Sequence, residues 1–195
     1  MSFLLFARND FSNPSRRAFL GSSGLLLSAS AVALLGGCES LAAAQKNADN
    51  TGTNDVAILN TALAAEMEAI AAYQLGAESG LLEPGVKALA ITFQGHHKTH
   101  ADLLGATVKK FGGRPVEPKS RYAFPVETLK TQADVLRFAA QLEKGAVSAY
   151  LGAIPIFQNR DLSRAAGSIL GDEAMHWAVL RQALGEDPVP AAFVG

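Results

Sequence analysis

Apolar residues recur at helical spacing along four stretches of the chain, and polar residues fill the positions between them. The first stretch starts at about Asn54 and closes at the glycines of positions 76 and 80. One face of it carries a set of large side chains: Ile58, Leu59, Leu63, Ile70 and Tyr73. A face that returns every 3.6 residues predicts an amphipathic helix.

Three further helices are predicted. The second covers Val86 to Phe111 and turns five apolar side chains inward: Leu89, Phe93, Leu103, Leu104 and Val108. The third starts near Thr131, where Thr131 and Asp134 resemble a capping pair, and runs to about Pro155. The fourth runs from about position 161 to 184 and ends at a glycine.

Residues 114–130 join the second helix to the third, and their three prolines, at positions 115, 118 and 125, rule out one continuous helix. This segment is therefore a long crossover between two helical hairpins. No stretch of the sequence predicts a strand. The expected fold is all-α, a four-helix bundle.

The two predicted hairpins resemble each other in sequence. Glu66 and Tyr73 have the same spacing as Glu143 and Tyr150, and a histidine follows the glutamate by 34 residues in one half and 33 in the other. Aligning the halves in this way pairs further residues: His100 with His176, Gly95 with Gly171, Thr92 with Ser168 and Leu104 with Leu180. We expect the two hairpins to pack about a pseudo-twofold axis.

Composition and charge narrow the class of protein. Hydrophobic residues make up 49% and charged residues 18% of the 195 residues, which is typical of a folded domain. The net charge is −1, and it becomes −3 if a leader ending before Cys38 is removed, so no basic domain is left to bind nucleic acid. Cys38 is the single cysteine, which excludes an intrachain disulfide and a cysteine-based zinc or iron–sulfur site.

The first 38 residues resemble an export signal. Arg16 and Arg17 precede an apolar stretch at positions 25–35, as in signals read by the twin-arginine export machinery. The residues that end at Cys38 resemble a lipoprotein processing box, which would lipidate Cys38 and anchor the chain to a membrane; cleavage after Ala44 is the alternative. We expect an exported, periplasmic protein with a signal segment at 1–38, a flexible linker at 39–53 and the bundle at 54–195.

Polar residues at core positions are the candidate site. Glu66 lies in line with the apolar face of the first helix, and His97 and His100 share a face of the second. Six side chains would converge in the interior: Glu66, His97, His100, Glu143, Glu173 and His176. Burying unpaired carboxylates costs several kcal/mol, which a divalent metal offsets. These donors suit iron, manganese or zinc. The alternative is a metal-free core in which glutamate and histidine pair with each other.

With these motifs, the chain resembles the bacterial ferritin-like domain proteins with twin-arginine leaders, relatives of rubrerythrin and the carboxylate di-iron proteins. The resemblance covers about residues 54–193. It implies a ferritin-like fold with one glutamate from each of two helices and Glu-x-x-His from each of the other two. Glu66 and Glu143 match the single glutamates, Glu173 with His176 matches one Glu-x-x-His, and His100 matches the second histidine.

His97 departs from the pattern of the family, which has a glutamate at this position. Three carboxylates neutralise two divalent cations less completely than four, so a second metal is expected to bind more weakly. A register that uses Gln94 and His97 instead of His97 and His100 is disfavoured by the repeat. His96 points elsewhere on the helix and is expected to be exposed.

Tyr73 and Tyr150 are expected to be core residues whose hydroxyls bond to carboxylates across the bundle. Three hypotheses for function follow. The first is a di-metal carboxylate oxidoreductase, with iron or iron and manganese, that acts on oxygen or peroxide and needs an external electron donor. The second is a metal-binding or stress-protective protein without turnover, and the third is a scaffold with a degenerate metal site.

Overall fold

The computed structural model describes the backbone of residues 51–194 and the side chains of residues 54–194. The signal segment, its cleavage after Ala44, lipidation at Cys38 and the linker as far as residue 50 lie outside the described residues and stay predictions. Within residues 51–194 the structure consists of four α-helices, two short 3₁₀ turns and no strand, which confirms the expected all-α bundle.

The four helices are α1 (Thr51–Glu78), α2 (Pro84–Lys110), α3 (Gln132–Ala153) and α4 (Arg160–Ala183). The 3₁₀ turns are Val126–Thr128, in the crossover, and Ile154–Ile156, between α3 and α4. Helix α1 packs along α2 and α3 along α4, and the two hairpins meet mainly through α1 and α3. The crossover lies between α2 and α3, as the prolines of this segment predict.

Local sequence explains where the helices begin and end. Thr131 accepts a hydrogen bond from the Asp134 backbone N–H, and the Asp134 carboxylate accepts one from the Thr131 backbone, which confirms the predicted capping pair. Helix α2 begins with Pro84 and is followed by Gly112 at φ 77°, a left-handed conformation that glycine adopts without strain. At Gly113 a Cβ atom would lie 2.5 Å from Val56 Cγ1, so any larger residue here would force Val56 or the backbone to shift.

The apolar core is divided into two ends. One end is formed by two neighbouring clusters, both of which pack against Ala62 and Phe157: Leu59, Leu63, Leu104, Val108 and Leu162 in the first, and Tyr150, Ala166 and Ile169 in the second. The other end is formed by a separate set: Tyr73, Phe93, Leu136, Ala140 and Leu180. In each helix, the residues that lie between the two apolar ends include the polar residues of the candidate site. The core therefore encloses a polar layer from above and below.

The prediction that Leu103 faces inward was wrong, because its side chain is 50% exposed. Its neighbour Leu104 occupies the inward position, and one residue corresponds to a rotation of about 100° around a helix. Helices α2 and α4 also touch only at a few points, so the outer side of α2 remains open to solvent at Leu103.

Of the described helices, the segment Asn54–Glu78 of α1 is long and apolar enough to cross a membrane by length and composition. In the structure this segment buries Asp55 and Glu66 against other parts of the bundle. Asp55 accepts hydrogen bonds from the backbone N–H groups of Gln158 and Asn159 and so ties α1 to the turn before α4. These contacts place Asp55 and Glu66 inside the bundle.

Candidate metal centre

All six residues predicted to face the interior come together in one layer of the bundle. Five of them are 3% or less exposed as whole residues: Glu66, His97, Glu143, Glu173 and His176. His100 lies at the edge of the layer, with a side chain that is 13% exposed. The three glutamates, which come from three different helices, are therefore all removed from water. Burying three carboxylates costs free energy unless a positive charge compensates them, and a metal ion would supply that charge.

The six residues form two overlapping groups of four. Glu66, His97, His100 and Glu173 can each offer one ligand atom such that all four atoms lie within 4.8 Å of one another. His97, Glu143, Glu173 and His176 satisfy the same condition. Both groups contain His97 and Glu173, which therefore lie between two candidate metal positions.

His97 spans the two groups with its two ring nitrogens. Its Nδ1 lies 2.8 Å from Glu66 Oε2 and 3.6 Å from Glu173 Oε1, whereas its Nε2 lies 3.3 Å from Glu143 Oε1. A neutral imidazole has one nitrogen lone pair for a metal, and its other nitrogen carries a proton. His97 can therefore serve one of the two positions at a time, whereas a carboxylate such as that of Glu173 has an oxygen for each.

Several polar atoms in this layer lack hydrogen-bond partners. Among the described residues, the buried side-chain atoms without a hydrogen bond are His100 Nδ1, both carboxylate oxygens of Glu173, and His176 Nδ1. All four belong to the two groups. His100 Nδ1 lies 3.1 Å from Glu173 Oε1, and His176 Nδ1 lies 3.4 Å from Glu173 Oε2, so they surround the same carboxylate. Buried polar atoms are normally satisfied, and a cation bound by these atoms would satisfy them together.

Electrostatics within the layer favour charged forms of the side chains. Burial opposes protonation of His97, but the carboxylates of Glu143 and Glu66 outweigh burial and raise its pKa to about 10. In the same way, Glu173 and Glu66 raise the pKa of His100 to about 9, and Glu143 and Glu173 raise that of His176 to about 9. The carboxylates therefore stabilise positive charge in the layer. Without a metal ion, protonated imidazoles would provide that charge.

Two tyrosines hold the outer glutamates of the layer. Tyr150, on α3, donates a hydrogen bond of 2.5 Å to Glu66 Oε1 on α1. Tyr73, on α1, donates a short hydrogen bond to Glu143 Oε1 on α3. Each hydroxyl reaches the glutamate of the other hairpin, as expected from the sequence, and the two contacts are equivalent in the internal repeat. They orient the carboxylates from outside the centre.

Gln94 is buried but turns away from the centre. Its amide nitrogen donates to the Ile70 carbonyl and to Gln74, and its oxygen accepts from Lys98. His97 and His100 take the places that the repeat predicts, so the alternative register through Gln94 and His97 is not the one that the structure adopts.

Sequence reasoning missed a third group at the outer side of the layer. His96, Asp172 and His176 also offer three ligand atoms within 4.8 Å of one another. The His96 side chain is 46% exposed, as expected, but its Nδ1 lies 2.9 Å from His176 Nε2 and 3.1 Å from Asp172 Oδ2. The available signal was the repeat itself, because the alignment that pairs His100 with His176 also pairs His96 with Asp172.

A four-helix bundle of two related hairpins with glutamate and histidine meeting in its core defines the ferritin-like class of proteins. The family model for the ferritin-like domain matches residues 54–186, and the chain therefore belongs to this family. The chain is also similar to a solved structure, that of a conserved hypothetical protein from Mycobacterium tuberculosis. The two share 26% sequence identity, the match covers 73% of this chain and 99% of that chain, and the TM-score is 0.64. No curated protein matches this chain.

Proposed function

We propose that the protein is exported to the periplasm and binds iron or manganese in the core of its ferritin-like bundle. The observation that carries this proposal is the set of buried atoms on Glu173, His100 and His176 that face one another at ion-pair distance without forming a hydrogen bond. A core that evolved only for packing has no reason to desolvate three carboxylates and leave these atoms without hydrogen bonds.

The donor set fits a divalent cation with mixed oxygen and nitrogen ligands. Glu66, His97, His100 and Glu173 would hold one ion, and Glu143, Glu173 and His176 would hold a second. The three glutamates carry a charge of −3, so one divalent ion leaves −1 and two leave +1 in a layer shielded from water. We infer that one ion binds tightly and that the second binds more weakly, since His97 brings no negative charge.

An iron or manganese ion held here would supply redox chemistry toward oxygen or peroxide. The residues of the chain would exclude water from the ion and hold its ligands in position. Apolar clusters close the layer on both sides, and Tyr73 and Tyr150 orient Glu143 and Glu66. Cys38 is the single cysteine of the sequence, so turnover would draw electrons from an external donor. Zinc, which has no redox chemistry, would give the same centre no redox activity toward oxygen or peroxide.

Redox activity is tested on the protein loaded with ferrous iron under anaerobic conditions. We expect added peroxide to be consumed and the iron to be oxidised faster than free ferrous iron in the same buffer. Glu173→Gln, which removes the carboxylate shared by both groups, is the matched control and should react as free iron does. Iron that is bound by the wild-type protein but reacts no faster than free iron would favour a metal-binding or stress-protective role without turnover.

Export is tested separately, in cells. Replacing both Arg16 and Arg17 by lysine should retain the protein in the cytoplasm, because the export receptor reads the arginine pair. Cys38→Ala should move an exported, membrane-bound protein into the soluble periplasmic fraction if Cys38 carries a lipid. Release of wild-type protein as a soluble chain would instead favour cleavage after Ala44, and a periplasmic double-lysine variant would contradict twin-arginine export.

A further inference from the structure

His96 and Asp172 lie at the outer side of the metal centre, where the layer meets solvent. Their side chains are 46% and 22% exposed, respectively, whereas the His176 side chain behind them is 2% exposed. The three residues thus form a continuous path from the surface to the buried layer. The glycines next to them on α2 and α4, Gly95 and Gly171, have open space where a Cβ would lie, and the partial exposure of His96 and Asp172 leaves this end of the path in contact with solvent.

The distances among the three ligand atoms fit a cation better than they fit hydrogen bonds alone. His96 Nδ1, Asp172 Oδ2 and His176 Nε2 are separated from one another by 2.9, 3.1 and 3.3 Å. Each imidazole nitrogen carries either a proton or a lone pair, so in any protonation state at least one of the three contacts joins two donors or two acceptors and cannot be a hydrogen bond. Ligands bound at about 2.1 Å with tetrahedral or octahedral angles lie about 3.0–3.4 Å apart, close to the 2.9–3.3 Å seen here.

His176 connects this outer group to the buried centre. Its Nε2 faces Asp172 and His96, whereas its Nδ1 lies 3.5 Å from Glu143 and 3.4 Å from Glu173. A neutral imidazole offers a lone pair on one nitrogen and a proton on the other. His176 can therefore bind a cation on its outer side or on its inner side, with the proton on the opposite nitrogen in each case.

The two apolar pockets beside the layer are unsuitable as routes for an ion. The two pockets that flank the centre are lined mainly by apolar residues, and each includes a tyrosine of the layer: Tyr73 and Leu136 in one, Tyr150 and Ile169 in the other. Moving a hydrated divalent cation through such walls would strip its water without replacing it. The side with His96 and Asp172 offers ligands in place of that water.

We propose that His96, Asp172 and Nε2 of His176 form an outer divalent-cation site that captures the ion at the surface and delivers it to the buried centre. During delivery the ion leaves Nε2 and binds to Nδ1. Nδ1 releases its proton to solvent, Nε2 takes up one proton from solvent, and Asp172 then accepts the hydrogen bond from Nε2–H. The charge of His176 is the same before and after, and no electron is transferred. This inference rests on the proposed metal-binding function of the centre.

The rate of cobalt uptake tests this route. Co²⁺ develops visible absorption when it enters a site with histidine and carboxylate ligands, so uptake by the full metal-free protein can be followed by stopped flow. We expect His96→Ala to slow uptake about tenfold, since an attractive group at the mouth of a site raises the rate of ion capture. With one equivalent of Co²⁺, which ends in the buried centre, the final absorption should stay at the wild-type level, because His96 belongs to neither buried group. Asp102→Asn removes an exposed carboxylate from the same helix and should load at the wild-type rate.

A second measurement detects the outer site directly. Replacing Glu66, Glu143 and Glu173 together by glutamine removes the carboxylates of the buried centre, and circular dichroism shows whether the variant folds. We expect the folded triple variant to retain about one weakly bound Co²⁺ per chain, and His96→Ala to abolish it. Absence of this ion, or its persistence without His96, would overturn the outer site.

The two proposals fail in different ways. If wild-type protein takes up no cobalt at equilibrium, the metal-binding function is wrong and the delivery route is wrong with it. If wild type and His96→Ala reach the same final absorption at the same rate, the centre binds metal and only the delivery route is wrong.

Discussion

The hydroxyl of Tyr150 donates a 2.5 Å hydrogen bond to Glu66, from the third helix to the first. The equivalent contact, from Tyr73 to Glu143, runs in the opposite direction between the same two helices. Burial, together with Glu66, raises the pKa of Tyr150 well above its ordinary value, and Glu143 acts with burial in the same way on Tyr73. Both phenols therefore stay protonated at any ordinary pH and remain hydrogen-bond donors to their carboxylates.

Removing either hydroxyl should weaken metal binding. We expect Tyr150→Phe and Tyr73→Phe each to lower metal affinity about 10- to 100-fold, which is the usual effect of losing a group that orients a ligand. Each should also destabilise the protein by about 1–3 kcal/mol, because a buried carboxylate loses a partner. Isothermal titration with Mn²⁺ and denaturant unfolding measure the two effects.

Tyr122→Phe is the matched control for both tyrosine variants. Tyr122 lies in the crossover, stacks on Phe124 and accepts a hydrogen bond from the Lys119 backbone, away from the centre. Loss of the Tyr122 hydroxyl should leave metal affinity at the wild-type value. Equal affinity in Tyr150→Phe and Tyr122→Phe would mean that the hydroxyl of Tyr150 has no part in holding Glu66 for a metal.

The three glutamates should not be equivalent. Glu173 belongs to both groups of ligands, whereas Glu66 and Glu143 each belong to one. We expect Glu173→Gln to lower the affinity of the centre by more than about 100-fold, exceeding the effect usual for an orienting group. Glu66→Gln and Glu143→Gln should each leave the other group of ligands intact, so each variant should retain partial metal binding. The same loss in all three variants would contradict a shared role for Glu173.

His97 should limit the number of ions. His97→Glu supplies a fourth carboxylate and a second oxygen at the position between the two groups. We expect the variant to bind two divalent ions per chain with similar affinity, since four carboxylates neutralise two divalent ions. The count comes from native mass spectrometry of protein titrated with Mn²⁺. A variant that binds no more ions than wild type would show that the histidine is not what weakens the second position.

The stability of the metal-free protein should depend on pH in a defined window. The pKa of His97 is raised from 6.5 to about 10, so its pairing with carboxylates stabilises the fold fully below pH 6.5 and is lost as pH rises through 10. The pKa of Glu143 is lowered from 4.5, so its contribution is present above pH 4.5 and is lost at lower pH. Thermal unfolding should therefore give the highest Tm between about pH 4.5 and 6.5.

Metal should change this profile, because protons and metal ions compete for the same imidazole nitrogens. The increase in Tm on adding Mn²⁺ should be small near pH 5 and should grow as pH rises toward 8. An increase that is independent of pH would contradict binding through histidine.

Sequence reasoning could predict the fold and the convergence of the six polar side chains in the core because both follow from periodicity. Glu66, Glu143 and Glu173 sit in line with apolar residues on helices, and a helix fixes which side chains share a face. The internal repeat also predicted that the two hairpins are related to each other. It placed Tyr73 and Tyr150 at equivalent positions, from which each hydroxyl reaches a carboxylate across the bundle. Periodicity failed at Leu103, because it gives the face of a residue but not how closely the neighbouring helix approaches.

The outer group of His96 and Asp172 could not be predicted from a single helix. Each residue lies beside the apolar face of its own helix and reads as a solvent-exposed side chain. Their contact depends on how α2 and α4 approach each other, which no spacing within either helix determines. The position of His97 between the two groups likewise becomes visible only when the four helices are assembled.

The most direct test of a cation in the bundle core is the metal content of the protein itself. Protein exported by its own signal is purified gently and its metal content is measured by mass spectrometry, beside Glu173→Gln prepared in the same way. We predict about one tightly held iron or manganese ion per wild-type chain and at least a tenfold loss in the variant. Fewer than about 0.2 ions per wild-type chain, with no uptake on adding Fe²⁺ or Mn²⁺, would contradict the metal centre and leave a helical scaffold.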